Sequence, residues 1–204
     1  DVPPTLVSFA VDVAKEKDII TPELKNAGDK LVVFRIEKDQ YDIPVYEKVM
    51  KLFDGISALI KKRAIVAAYA LDGASAAKMS FGNKLGVEFS DALSAKELFA
   101  NEIGNMIAEV SADGMKALEE SGIAYSVVAT VLPENAGFVY KDVKVSEEDA
   151  LHAWKSKLEK VFPTKAVKAT DAIETKLYQT SDIHICKNKV AKPTVFIPVF
   201  PGTN

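Results

Sequence analysis

Along residues 45–60, apolar side chains fall at Val45, Val49, Leu52, Phe53, Ile56, Leu59 and Ile60. These i, i+4, i+7 intervals mark one face of a helix and predict about five turns. Lys61, Lys62 and Arg63 follow. Cations there complement the carbonyl end of a helix dipole, and that plain helix end accounts for the triplet better than a phosphate clamp does. Residues 65–71 are then almost wholly apolar, as in a central strand covered on both faces. Asp72-Gly73 turns the chain into a run of small residues at 74–83, a second helix.

On the N-terminal side, residues 5–14 are rich in β-branched and aromatic side chains and predict a strand behind Pro3-Pro4. Residues 31–37 predict another. Downstream, the pattern gives a short strand at 86–89, a helix opened by Ser94, and a strand at 105–110. A helix follows at 111–122, with Lys116 facing Glu120 and Gly122 as its stop. Residues 125–132 and 138–145 read as a hairpin across Pro133-Glu134-Asn135-Ala136-Gly137. Helices alternating with strands and ending in a hairpin predict an α/β (α+β) domain. Its mixed sheet has helices packed on it and partly ferredoxin-like connections.

After residue 145 the character changes. Ser146, with Asp149 three residues on, opens a helix that Pro163 ends, and Leu151, Trp154, Leu158, Val161 and Phe162 form its apolar stripe. Trp154 is expected to anchor this helix on the domain, and His152 to lie on the helix surface. A polar connector leads to a final apolar strand at 194–200. The expected divisions are 1–145, a helix and connector at 146–191, and a strand opening a further domain at 192–204. The start on Asp1 and the stop just after an apolar run suggest a piece of a longer protein.

Composition narrows the chemistry. A chain of 204 residues, 48% hydrophobic and 27% charged, fits one soluble domain with an appendage. Its formal net charge of −3 exerts no pull on nucleic acid or anionic membrane. No apolar run approaches the ~20 residues of a membrane span. One cysteine, Cys186, fits a reducing cytoplasm and reads as an idle or structural thiol. With His152 and His184 as the two histidines, a structural zinc site is not expected. Asp72-Gly73 stands at the end of a buried strand, where α/β proteins place ligands. Asp72 reads either as the N-cap of the next helix or as a metal-holding carboxylate beside a phosphate.

Several segments resemble, in order, the second C-terminal domain of the long single-chain phosphoribosylformylglycinamidine synthases. These belong to the aminoimidazole ribonucleotide synthetase superfamily. The segments are VPPTLVSFAVDVA with TPELKNAGDKLVVF, LFANEIGNMIAEV, HAWKSKLEKVFPT and KPTVFIPVFPGTN. The last is similar to the first strand and loop of the fused glutamine amidotransferase domain.

That resemblance implies a cytoplasmic ligase of purine biosynthesis that uses ATP and glutamine-derived ammonia. The substrate amide is activated as an iminophosphate, and Mg²⁺ neutralises the transferring phosphoryl group. For this half of the family it implies a supporting nucleotide site for ATP or ADP with Mg, and no catalytic residue. The contacts would be Asp72, Gly73, Asn101 and Glu102, with Asp72 toward the metal. The implied partners are the neighbouring synthetase and glutaminase domains of the same parent chain.

The sequence also departs from the family. Ala70-Leu71-Asp72-Gly73-Ala74 lacks the serine and second glycine of the family's Asp-x-Ser-Asp-Gly-Gly turn. No glycine-rich serine loop follows Phe34. Two alternatives therefore stay open, a catalytically silent scaffold and a free-standing small-molecule-binding regulatory module.

Overall fold

The computed structural model describes residues 6–100, 102–165, 185, 187, 189–192 and 194–201. The chain divides into two units, residues 1–164 and 165–204. All the described strands and helices belong to the first unit. The strands are β1 (Lys30–Phe34), β2 (Ile65–Ala70), β3 (Leu85–Phe89), β4 (Met106–Val110), β5 (Ser126–Glu134), β6 (Phe138–Tyr140) and β7 (Val143–Val145). The helices are α1 (Tyr46–Lys61), α2 (Ser75–Phe81), α3 (Ala95–Leu98), α4 (Ala112–Ser121) and α5 (Glu147–Ser156).

The strands form one sheet in the order β2-β4-β1-β5-β3-β6-β7. Neighbours run antiparallel except β3 and β6, which run parallel. Strands β1, β2, β4 and β5, with α1 and α4 as crossovers, make the split β-α-β arrangement of ferredoxin-like folds. The α2–β3–α3 segment is inserted between β2 and β4 and adds β3 outside β5. The fold is therefore the mixed α/β sheet that the sequence pattern predicts.

Strand pleating sends alternate side chains to opposite faces, and β1 shows how two cores arise. Val32 and Phe34 join Ile56, Leu59, Ile65 and Leu118 under α1 and α4. Leu31 and Val33 join Leu24, Met79, Val87 and Phe89 on the face that α2 covers. Among the described residues no helix is long and apolar enough to cross a membrane.

Several expectations need correction. Strand β2 lies at the edge of the sheet, not its centre. Its alanines suit burial but bring no edge signal, and among the described residues only the isolated bridge of Thr21 to Ala67 covers its outer side. Residues 6–14 form no strand, and Leu6, Phe9, Val11 and Val13 are exposed. The hairpin does not cross residues 133–137. Strand β5 already has β1 and β3 as neighbours, so β6 pairs with β3 and makes its hairpin with β7. Gly86 permits this approach, because a Cβ there would stand 2.6 Å from the Gly137 carbonyl oxygen.

Helix α5 ends at Ser156, which leaves Leu158, Val161 and Phe162 of the expected stripe exposed. Its start is as read: the Ser146 hydroxyl accepts from the Asp149 N–H at 3.0 Å. Trp154 anchors it by stacking on Phe81, ring centroids 5.6 Å apart. In the second unit, described residues 194–200 carry no strand, and Val195, Phe196 and Ile197 are exposed. His184 and Cys186 lie outside the described residues.

Candidate functional site

The site is built where β2 hands over to α2. The Leu71 N–H donates to the Asn105 carbonyl at 2.9 Å, which ties the end of β2 to the loop before β4. Asp72 and Gly73 then turn the chain. A Cβ on Gly73 would meet the Phe99 carbonyl oxygen at 2.6 Å, so only glycine lets the turn lie against the 99–105 segment. The N-cap of α2 is Ala74, not Asp72. Asp72 precedes the cap by two residues, and its carboxylate folds onto the turn. Oδ1 accepts from the Ala74 N–H at 2.8 Å and lies 3.1 Å from the Ser75 hydroxyl, while Oδ2 accepts from Lys78 Nζ at 2.6 Å. The Ser75 hydroxyl accepts from the Asp72 N–H and has the Ala70 carbonyl at 2.8 Å as its own acceptor.

Partial burial pushes the Asp72 carboxyl up. The Lys78 ammonium, the Ala74 N–H and the Ser75 hydroxyl outweigh that and hold it below the usual carboxylate range. The hydrogen bond to Asp72 in turn raises the Lys78 ammonium above its ordinary value. The turn is thus a charge-neutral latch. Lys78 also lies over the Tyr69 ring, 5.7 Å from its centroid.

Behind the turn is a cavity of about 40 Å³ lined by Val33, Leu71, Phe89, Phe99, Ile107 and Val128, with Arg35, Asp72 and Glu97 as its charged wall. That is room for a water or two and far below the roughly 300 Å³ at which small-molecule pockets begin. Phe99 packs edge-on against Phe89, ring centroids 5.4 Å apart. Helix α3 beside them is set by a capping box between Ser94 and Glu97. The Ser94 hydroxyl and N–H hold the Glu97 carboxyl low, with Arg35 adding to the effect.

Glu102 reaches this wall through Arg35. Its Oε2 accepts from Arg35 Nε at 2.8 Å and from Asn105 Nδ2 at 2.6 Å. Asn105 Oδ1 accepts from the Ile36 N–H at 2.8 Å, so the network binds the end of β1 to the loop before β4. Asp72 and Gly73 therefore meet the 99–105 segment directly, and Glu102 stands one residue removed. Asn101 lies outside the described residues.

The sequence reading passed over Arg35, Ser75 and Lys78. Arg35 was signalled as a charge inside an apolar strand run. Ser75 stands three residues after Asp72, the spacing of a side chain that folds back on a turn. Lys78 carries no local signal, because only the bend of the turn brings it to Asp72.

The residues present do not fit a divalent cation. Both Asp72 oxygens are taken by N–H or hydroxyl donors and an ammonium ion. Among the described residues no three histidine, cysteine or carboxylate side chains cluster as a metal site.

No protein-family model matches the chain, and no curated protein matches it either. Solved structures do. Phosphoribosylformylglycinamidine synthase II from Thermotoga maritima superposes with a TM-score of 0.53 at 11% identity, covering 67% of this chain and 28% of that one. The chain shares its fold with part of that synthase. T. maritima PurL complexed with AMPPCP gives a TM-score of 0.53 at 14% identity, covering 67% of this chain and 28% of PurL. PurL complexed with FGAR gives 0.51 at 12% identity, covering 66% and 30%. At these identities the likeness is one of fold. The chain spans little more than a quarter of the PurL structures it matches.

Proposed function

We propose that this chain is a supporting domain of an ATP-dependent carbon–nitrogen ligase of the phosphoribosylformylglycinamidine synthase kind. In this reading it packs against neighbouring synthetase and glutaminase domains of a longer parent chain and forms one wall of a nucleotide site. The observation that carries the reading is the shared fold with PurL, whose structures include complexes with AMPPCP, ADP and ATP. The motif order in the sequence agrees with it. The domain placement, the amidotransferase start at 192–204 and a cytoplasmic location belong to the same proposal.

The chemistry of the turn sets this chain's part. Lys78 already neutralises Asp72 and Glu102 pairs with Arg35, so the turn would meet a nucleotide with ion-paired side chains rather than with a metal-bridging carboxylate. The cavity behind it admits no base, so a nucleotide would lie across the turn, against a neighbouring domain. The test is calorimetric binding of ADP, with and without Mg²⁺, to the parent chain and to its Asp72→Ala variant. In the variant Lys78 is unpaired, and affinity for ADP changes by several-fold. A folded variant with unchanged affinity removes the turn from the site and leaves the silent scaffold, the reading that the fully engaged Asp72 carboxylate favours. Absence of any ADP binding that depends on this domain overturns the nucleotide reading altogether.

A further inference from the structure

The segment from Thr21 to Asp29 lies against the sheet as a strap, and its ends are tied differently from its middle. Just before it, the Arg63 guanidinium donates to the Lys17 and Ile19 carbonyls. At its far end the Gly28 N–H donates to the Val131 carbonyl at 2.8 Å, and the Val131 N–H to the Asp29 carbonyl at 2.9 Å. Between these ties, Lys25 and Asn26 give their N–H groups to the Glu109 carboxyl at 2.7 and 2.9 Å. Leu24 is fully buried, and it joins the strap to the end of α2. Its N–H donates to the Met79 carbonyl at 2.9 Å, and its carbonyl accepts from Asn83 Nδ2 at 2.8 Å.

The middle of the strap therefore hangs on an ionisable group whose surroundings resist its ionisation. Glu109 is fully buried, and Asp29, only 6% exposed, brings its carboxyl within hydrogen-bonding reach of it. Two carboxylates so placed repel each other. Among the described residues no cation stands between them. Lys25 turns its ammonium to the Thr21 hydroxyl at 2.6 Å and toward Glu23 at 3.6 Å. Lys78 of α2 is held by Asp72, and Tyr69 of β2, on the same face as Glu109, lies under Lys78. Lys30 of β1 neighbours Leu31, the residue that pairs with Glu109, so it points to the opposite face and donates there to Thr130. Asp29 Oδ2 accepts from Asn26 Nδ2 at 3.2 Å, a neutral donor. Burial raises Glu109 to about 7, with Asp29 adding to the rise against the lowering by the two N–H groups.

We propose that the Glu109 proton, donated to the Asp29 carboxylate, is the catch of a pH-dependent strap: its loss to water lets residues 21–26 lift from the sheet while both ends stay tied. With the proton gone, two carboxylates face each other in a buried site, and opening the segment that covers Glu109 is the shortest way to bring water to it. Gly28 is the hinge, its φ of +96° being one that L side chains rarely adopt. Leu24 leaves with the strap, so the end of α2 loses its bonds through Met79 and Asn83. That helix begins at the Asp72 turn, and the strap thus governs how firmly the latch helix is seated.

The sign follows from the two states of the strap. With the strap lifted, Glu109 titrates near its ordinary 4.5, and with the strap closed at about 7. The closed form is therefore most favoured below pH 4.5, loses ground as pH rises to about 7, and changes little beyond.

Amide hydrogen exchange of the whole 204-residue chain by NMR, corrected for the intrinsic pH dependence of exchange, tests this. Protection of the Leu24, Lys25 and Asn26 amides is expected to fall roughly fiftyfold between about pH 5 and pH 8. The Gly28 and Val131 amides, at the hinge, stay better protected than these throughout. In Glu109→Gln, whose neutral side chain still donates to Asp29, the fall is lost. In Asp29→Asn the carboxyl-carbon titration of Glu109 moves to lower pH, because the facing charge is gone. Exchange of Gly28 and Val131 in step with Lys25 and Asn26 overturns the proposal, since it marks unfolding of the whole unit. A slope that survives Glu109→Gln overturns it too, and so does a Glu109 midpoint unmoved by Asp29→Asn.

Discussion

Glu109 is fully buried on β4, on the same face as Ile107. Its two carboxylate oxygens accept the N–H groups of Lys25 and Asn26 at 2.7 and 2.9 Å, which straps the 24–29 loop to the sheet. Burial pushes its pKa up to about 7, and Asp29 close by adds to the rise against the lowering of the two N–H bonds. The folded state therefore holds a proton that the unfolded chain releases near pH 4.5. Stability is greatest below that pH, falls as pH rises toward about 7, and is level above it, a loss on the order of 3 kcal/mol. Urea unfolding of the wild type between about pH 5 and pH 8 should show this slope, and Glu109→Gln should flatten it. An equal slope in both proteins would assign the titration elsewhere.

Gly73→Ala tests the turn at the same scale. Its Cβ would collide with the Phe99 carbonyl, and backbone cannot yield as a side-chain tip can. The expected cost is about 1–3 kcal/mol, with a changed Phe99 environment in the NMR spectrum. Unaltered stability would mean that the 99–105 segment moves freely away. Neither constraint was legible locally. Glu109 reads as one charge in an apolar strand, and Gly73 as an ordinary turn glycine.

Among the elements, the long and strongly periodic ones were readable. Helix α1 was predicted for 45–60 and spans Tyr46–Lys61. Helix α4, read over 111–122, spans Ala112–Ser121 behind a Ser111 cap and stops at Gly122, as its stop signal requires. The misplaced hairpin and the edge position of β2 have a different origin. A strand's own residues record which face is buried but not which strand lies beside it.

Helix α5 is a mixed case, because its cap and its Trp154 anchor were read but its length was not. It rests on few contacts, and the stack of Trp154 on Phe81 is the aromatic one among them. Trp154→Ala should cost about 1–3 kcal/mol locally, faster amide exchange across Glu147–Ser156 being the sign, with β1 and β4 protection unchanged. Unchanged exchange in α5 would show that Leu151 and Ala150 hold the helix by themselves.

At the scale of the whole molecule, the fold resembles part of PurL, and the chain covers 28% of that structure. Beside the Asp72 turn the Ser75 hydroxyl is buried and engaged with the Asp72 N–H and the Ala70 carbonyl, and the carboxylates of the cavity are engaged in the latch and the capping box. The 204 residues alone should therefore not convert formylglycinamide ribonucleotide with ATP and ammonia. Turnover above a buffer blank in a phosphate-release assay would contradict that and call for a catalytic group on this chain.

The sequence by itself determined the layered α/β class and the positions of α1 and α4, because periodicity and capping are local properties of consecutive residues. Tertiary structure alone decided the order of strands in the sheet. It also joined Lys78 to Asp72, Arg35 to Glu102 and Glu109 to the 24–29 loop. Those partners are far apart in sequence or meet only across a turn, so their energies depend on geometry that no single segment carries.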